Sequence, residues 1–150
     1  MNLTSANDPV AEIKAREVEL MEAKNHPDFV KNPRRILSFY ENKTIRLFDL
    51  HEMQLDGEQV GEMFAKVSPG FIGAATIHDV RVEAEGNIGF SSLVESYVGH
   101  VRDTGEAVTL NFRMSHGWKK IDGQWLIMQE HWSYPADEKT GLARTADPLP

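Results

Sequence analysis

The sequence predicts an α+β fold in which about three N-terminal helices pack on a strongly curved antiparallel sheet. Two observations support this fold class. Before Gly70, apolar residues recur every three to four positions, as on one face of a helix; after it, they alternate as in strands. A strongly curved sheet wrapped on helices forms a cone with one open end, where we expect a pocket.

Length and charge narrow the class of protein. The chain has 150 residues with 41% hydrophobic content, which is the size of one domain with a real core. Its net charge of −7 disfavours a nucleic-acid partner, because such proteins carry a basic stripe. We therefore expect a single domain over residues 1–150, with irregular tails at 1–8 and 136–150.

Cysteine usage and hydropathy indicate the compartment. The chain has no cysteine, which excludes disulfides and thiol chemistry and suits the reducing cytoplasm. The first ten residues lack the charged and apolar regions of a signal peptide. No apolar run approaches the roughly 18 residues that span a bilayer. We expect a cytoplasmic protein with no membrane partner.

The first helix has a clear start. Asp8 is a capping residue and Pro9 suits the first helical position, where a backbone N–H would lack a partner anyway. Glu17 falls within the apolar stripe; we interpret it as an acid at the edge of the stripe that reaches solvent, with a pocket role as the alternative. The stripe is formed by Val10, Ile13, Leu20 and Met21.

Two further helices and a short strand follow. Asn32-Pro33 repeats the cap-then-proline pattern, and we expect its helix to direct Ile36, Leu37, Phe39 and Tyr40 inward. A short strand is predicted over 44–49. The third helix has Val60, Met63, Phe64 and Val67 on one face, and Ser68-Pro69-Gly70 ends it.

Four long strands make up the rest of the predicted sheet. They cover about 74–85, 88–101, 107–121 and 124–133, with turns at Gly86-Asn87, at 102–106 and at Asp122-Gly123. The Asp-Gly pair is a strong signal for a two-residue hairpin, because both positions need positive φ.

Residue parity sorts the side chains of the last two strands into two faces. In the third long strand, Leu110, Phe112, Met114, His116 and Trp118 share one side. A simple two-residue hairpin places His116 opposite Gln129 and leaves Glu130 on the reverse face. A bulge would change this match, so parity alone leaves both arrangements open.

Motifs in the second half resemble a known family. "FDL" at 48–50, "LDGEQVGEMF" at 55–64 and "RMSHGWKKIDGQWLIMQEHWSYP" at 113–135 are similar to the SnoaL-like and ketosteroid isomerase-like group of the nuclear transport factor 2-like superfamily. The shared features are an R-x-[ST] pair, a K-x-D-G-x-W turn and a final H-x-S-x-P segment. The resemblance covers residues 30–140 and implies a cone-shaped α+β barrel that is usually dimeric through the outer sheet face.

The resemblance also implies a site. It places His116 where the isomerases hold an oxyanion-binding acid, and Met128, Glu130 and Trp132 where they line the pocket. We favour this arrangement, which requires a bulge between Trp118 and Trp125. The remaining predicted substrate contacts are Tyr40, Phe64, Met114 and Trp118.

Asp49 is the nearest acid to the position of the isomerases' general base, although it lies one residue away. Glu17 stands near the position of their helix-one tyrosine, so the isomerase machinery is not intact. An acid in an apolar pocket has a raised pKa and can act as a base near neutrality. Asp49 as base, with His116 as a neutral donor to a developing oxyanion, suffices for proton transfer next to a carbonyl.

In the alternative interpretation these groups have only structural roles. Asp49 caps a loop, His116 is a core histidine whose hydrogen bonds are all made within the protein, and Glu130 forms an ion pair with Arg113 or Lys120. The histidines lack metal-binding spacing, and no nucleotide-binding motif occurs, so no metal or cofactor is expected. Two functions remain open. One is an isomerase, cyclase or dehydratase acting on a small hydrophobic carbonyl compound; the other is a non-catalytic ligand-binding or interaction module.

A homodimer is also expected, because polar and aromatic side chains lie on the outer face of the long strands. These residues are Asn111, Arg113, Ser115, Gln129 and His131.

Overall fold

The computed structural model describes residues 8–50 and 54–149, so the predicted tail at 1–7 lies outside the described residues. Three helical segments pack on a five-stranded sheet, which confirms the α+β class. The helical segments are α1 (Pro9–Asn25), a 3-10 helix (Pro33–Phe39) and α2 (Gly57–Val67). The strands are β1 (Arg46–Phe48), β2 (Phe71–Glu85), β3 (Ile88–Val101), β4 (Ala107–Ile121) and β5 (Gln124–Ser133).

Helix α1 begins as predicted. The Asp8 carboxylate accepts hydrogen bonds from the backbone N–H groups of Val10 and Ala11, with Pro9 in the first turn. Glu17 corrects our interpretation: it is 2% exposed and lies inside the buried face rather than reaching solvent. Gly89 of β3 lets this helix approach closely, since a Cβ there would collide with the Ile13 side chain.

The second helical segment is a 3-10 helix rather than a regular α-helix. It buries Ile36, Phe39 and Tyr40, as the pattern predicted, whereas Leu37 is half-buried. The segment stops at Tyr40, which forms a bridge with Ile127 of β5. Because the backbone must reach the sheet there, the segment ends after seven residues, which is long for 3-10 geometry.

Helix α2 is fixed by a capping box. The Asp56 side chain accepts from the Gln59 N–H, and the Gln59 side chain accepts from the Asp56 N–H. Its buried face includes Val60 and Phe64, as the spacing predicted, whereas Met63 is half-buried and Val67 is 44% exposed. This helix therefore presents Phe64 to the interior of the cone.

The strand order is β1-β5-β4-β3-β2. The four long strands form the predicted antiparallel meander, but β1 pairs with β5 in parallel, so the sheet is mixed. The sheet does not close into a full barrel. Its concave face and the helices enclose a main hydrophobic core around Ile13, Leu47, Trp118 and Ile127.

The backbone angles at the strand connections agree with the turns predicted from the sequence. Asp122 and Gly123 both have positive φ, 50° and 81°, as a two-residue hairpin requires. Gly86 also has positive φ at the β2–β3 turn. A bulge in β2 follows His78, where Asp79 has φ of 46°.

The register of β4 and β5 decides which side chains share a face. Pairing follows the simple hairpin count as far as Trp118 with Ile127, and then shifts so that Gly117 pairs with Gln129. Met128 is the extra residue of this bulge, which lies just beyond Trp118 rather than between Trp118 and Trp125. As a result, His116 is the direct cross-strand partner of Glu130.

Residues 134–149 follow β5 without a further regular helix or strand. They fold back through a bridge between Ala136 and Ala143. The Asn111 N–H donates to the Thr145 carbonyl, 2.7 Å away, so the tail takes over the edge of β4 beyond the end of β5. No helix within residues 8–50 and 54–149 is long and apolar enough to cross a membrane.

Candidate functional site

A cavity of about 280 Å³ lies between the end of α1, the end of α2 and the sheet. Its walls are mostly apolar and aromatic. They include Phe29 and Phe64 from the helical side, and Tyr97, Leu110, Phe112 and Trp132 from the sheet. A concave apolar space with few polar groups is the usual form of a small-molecule site.

One ion pair lies in the cavity wall. Lys24 Nζ, near the end of α1, is 2.8 Å from Glu95 Oε2 of β3, and each side chain is only 8% exposed. Burial lowers the pKa of Lys24, but the carboxylates of Glu95, Glu130 and Glu17 outweigh it, so the pKa is raised. Lys24 is therefore charged at neutral pH.

Behind this wall, His116 lies between two buried carboxylates. Its Nδ1 is 2.8 Å from Glu17 Oε1, and its Nε2 is 3.7 Å from Glu130 Oε2. All three side chains are at most 2% exposed. The β4–β5 bulge and the buried face of α1 together create this array of Glu17, His116 and Glu130, which we call the buried array.

Neighbouring donors hold both carboxylates in place. The Ser91 hydroxyl donates to Glu17 Oε1 at 2.5 Å and accepts from Trp118 Nε1 at 2.8 Å. The Trp132 indole N–H donates to Glu130 Oε1. Because Trp132 also lines the cavity, it joins the buried array to the cavity wall.

The charges of the array stabilise one another. Burial raises the pKa of Glu17, but His116, Ser91 and Lys24 outweigh it, and the pKa is lowered. Burial lowers the pKa of His116, but Glu17 and Glu130 outweigh it, and the pKa is raised. The array therefore favours an imidazolium between carboxylates at neutral pH, which corrects the expectation of a neutral donor at His116.

Three buried polar atoms have no hydrogen-bond partner among the described residues: the Tyr40 hydroxyl, His116 Nε2 and Glu130 Oε2. Burial, and next the negative charge of Glu130, raise the pKa of Tyr40 well above its ordinary range. These atoms leave unused hydrogen-bonding capacity in and beside the array.

The predicted site residues fall into separate groups. His116 and Glu130 meet in the buried array, and Phe64 and Trp132 line the cavity. The other four predicted contacts lie elsewhere in the described chain. Tyr40 and Trp118 are in the main core, Met114 packs with Leu93, and Met128 is the bulge residue.

Asp49 is placed by its interaction with Tyr134. Its negative charge contributes, after burial, to raising the pKa of Tyr134 to about 12. The Tyr134 ring stacks on Phe112 with centroids 5.2 Å apart, and Phe112 lines the cavity. Asp49 is not among the residues that line the cavity, and the Tyr134–Phe112 stack links it to the cavity wall.

Sequence reasoning missed Lys24, Glu95 and Ser91. A signal existed for Lys24, which follows Glu17 by seven residues on the same helix face. Glu95 and Ser91 alternate with Leu93, but the opposite face of that strand is the more apolar one in the sequence, so parity did not mark them as buried. Polar residues inside apolar stripes are the pattern that indicates a buried site.

Comparison with solved structures identifies the fold. An NTF2-like protein of unknown function from Pseudomonas putida KT2440 is similar, with a TM-score of 0.76 and 21% identity over 94% of this chain and 96% of that one. A ketosteroid isomerase-like protein from Erwinia carotovora atroseptica SCRI1043 has a TM-score of 0.69 and 16% identity, with 85% and 97% of the two chains covered. The association domain of CaMKII from C. elegans has a TM-score of 0.66 and 18% identity, with 82% and 93% covered.

These likenesses show that the chain has the NTF2-like fold. A comparison with protein-family models found no match, and neither did a comparison with curated proteins. At such identities the shared fold does not carry an activity with it, so function must come from the site.

Proposed function

We propose that the chain is a SnoaL-like protein that binds a small hydrophobic carbonyl compound in the cavity and catalyses proton transfer on it, as an isomerase, cyclase or dehydratase. The observation that carries this proposal is the meeting of an apolar, aromatic-lined cavity with a set of buried ionisable groups at its inner wall. Substrate binding and general acid–base chemistry need these two features together.

The buried array supports the chemical part of the proposal. His116 is a proton donor held between two carboxylates, and Glu130 is hydrogen-bonded to the cavity residue Trp132. Asp49 remains the proposed base, with Glu130 as the alternative. Phe64 and Trp132 are proposed substrate contacts, and Tyr40, Met114, Trp118 and Met128 are proposed to shape the site from the layers around them.

Proton transfer is expected to depend on Asp49. Hydrophobic carbonyl compounds that raise the melting temperature would first be selected, and their turnover then followed spectroscopically. Asp49→Asn preserves shape but removes the base, so turnover should fall by about 10²-fold or more. Asp79→Asn, an exposed position in the β2 bulge, is the control and should keep full turnover. Unchanged turnover in Asp49→Asn, with loss in Glu130→Gln, would assign the base to Glu130.

A second candidate function is a non-catalytic, dimeric interaction module. The observation that favours it is an exposed apolar row on the outer face of β3, where Phe90 and Val98 are 52% and 59% exposed. Solved structures with this fold include an association domain. Apolar patches on an open sheet face are typical of protein–protein contact.

A homodimer through this outer face is the expected assembly. Light scattering at micromolar concentration should give twice the mass of 16.9 kDa. Phe90→Lys places a charge in the contact and should shift the equilibrium to monomer. Val18→Lys alters a similarly exposed apolar residue on α1 and should leave the dimer intact. A monomeric wild-type protein would disprove the dimer.

A further inference from the structure

The Lys24–Glu95 ion pair is a polar feature of the cavity wall whose contacts with a ligand the proposed function does not specify. Both side chains line the cavity, and both are about nine-tenths buried. Within the described residues, Glu95 is the one hydrogen-bond acceptor for the Lys24 ammonium, at 2.8 Å, and Lys24 is the one donor to the Glu95 carboxylate. The pair therefore faces the cavity with unused hydrogen-bonding capacity.

The pair can make further hydrogen bonds both as a donor and as an acceptor. A lysine ammonium has three N–H donors, and an ionised carboxylate has two acceptor oxygens. After their mutual bond, two donors of Lys24 and the Oε1 atom of Glu95 remain. A ligand can thus place an acceptor against Lys24 and a donor against Glu95, on adjacent atoms of the same wall.

Neighbouring contacts fix the position of the pair. The Asn25 side chain donates to the Ala75 carbonyl at 2.7 Å and accepts from its N–H at 2.8 Å, which joins the end of α1 to β2. Lys24 Nζ also lies 5.4 Å from the centroid of the Trp132 ring. Donor and acceptor are therefore held before a ligand arrives, which lowers the entropic cost of binding.

The attraction within the pair does not by itself account for its burial. Buried ion pairs seldom give net stability, because desolvation offsets their attraction. Here the pair sits among apolar side chains, with Phe112 directly opposite Glu95 across the sheet and Leu110 near it. A neutral ligand suits it best. A carboxylate ligand would face Glu95, and an amine would face Lys24.

We propose that Lys24 and Glu95 form a recognition site for neutral hydroxy-carbonyl compounds with an aromatic or alkyl body. The carbonyl oxygen accepts from Lys24, the hydroxyl donates to Glu95, and the body fills the aromatic cavity. The inference rests on the proposed function and narrows its substrate class. It concerns binding, so it can be tested without any turnover.

A four-compound series on one carbon skeleton tests the pairing by isothermal titration calorimetry. The compounds are 4-hydroxy-4-phenylbutan-2-one, with both groups; 4-phenylbutan-2-one, with the carbonyl alone; 1-phenylbutan-1-ol, with the hydroxyl alone; and butylbenzene, with neither. Hydrogen bonds to charged groups are worth roughly tenfold each in affinity, so the first compound should bind about tenfold more tightly than either single-group compound.

The double variant Lys24→Met/Glu95→Leu should remove this preference and leave butylbenzene affinity within about threefold, since apolar groups of similar volume replace the pair. Lys120→Met/Glu12→Leu is the matched control. It removes another Lys–Glu pair between α1 and the sheet, with a 2.7 Å contact, and should keep the preference.

The outcomes separate the two proposals. Equal affinity of wild-type protein for all four compounds overturns the recognition site while the cavity remains a binding site. Binding of none of them overturns the proposed function and the recognition site together. The wild-type series decides these cases even where the double variant fails to fold. A preference that persists in a folded double variant overturns the role of Lys24 and Glu95.

Discussion

Replacing His116 with phenylalanine is expected to destabilise the protein by about 3–5 kcal/mol. The variant keeps a flat ring of similar size at a position that is 1% exposed. However, it leaves Glu17 and Glu130 buried without the cation between them, and an uncompensated buried charge is among the costliest changes in a protein core. Urea unfolding followed by tryptophan fluorescence, at one protein concentration, measures the difference.

Two further variants check the cause. His100→Phe changes a half-buried histidine near the end of β3 and should cost at most about 0.5 kcal/mol. The triple variant His116→Phe/Glu17→Gln/Glu130→Gln removes all three charges and should be more stable than His116→Phe alone. A triple variant as unstable as the single one would show that packing, rather than charge, governs the loss.

Local signals in the sequence were enough for most of the fold. Three predicted features depend on the backbone preferences of a few adjacent residues, and the structure has each of them. They are the helix cap at Asp8, the hairpin at Asp122-Gly123 and the helix end at Ser68-Pro69-Gly70. The 3-10 geometry of Pro33–Phe39 was not predictable in the same way. The end of this segment is set by the bridge of Tyr40 to Ile127, a contact between distant parts of the chain.

The candidate site depends on contacts between distant residues to a greater degree than the fold does. One bulge residue, Met128, turns Glu130 to the side of His116, and no turn residue marks that position in the sequence. The resemblance to ketosteroid isomerases, rather than parity, indicated the shared face. Glu17 and His116 are 99 residues apart and Lys24 and Glu95 are 71 apart, so their pairing follows from how α1 lies on the sheet.

The dependence of stability on pH provides a second test of the buried array. The pKa of Glu17 is lowered from its ordinary 4.5 in the folded protein, whereas the pKa of His116 is raised from its ordinary 6.5. The contribution of Glu17 is complete above about 4.5 and is lost as pH falls through its folded pKa. The contribution of His116 is complete below about 6.5 and is lost as pH rises through its folded pKa.

Other groups also titrate, and their contributions to stability must cancel in the comparison. Hydrogen bonds lower the pKa values of Glu12, through Lys120, of Glu41, through Thr44, and of Asp137, through Thr140. These three groups remain in the triple variant, so their contributions cancel when its stability is subtracted from that of the wild type. Lys24 and Tyr40, whose pKa values are raised, lose their contributions only in strongly alkaline solution.

The stability difference between wild type and triple variant is therefore expected to be greatest between about pH 4.5 and 6.5 and to decline on both sides. As the pH falls below about 4.5, the unfolded chain binds the Glu17 proton before the folded protein does. As the pH rises above about 6.5, the folded protein keeps the His116 proton after the unfolded chain has lost it. Each limb approaches a slope of about 1.4 kcal/mol per pH unit while one proton separates the two states. Urea unfolding of both proteins from pH 3.5 to 9 measures the curve. A difference independent of pH would show that Glu17 and His116 do not form a charged pair in the folded protein.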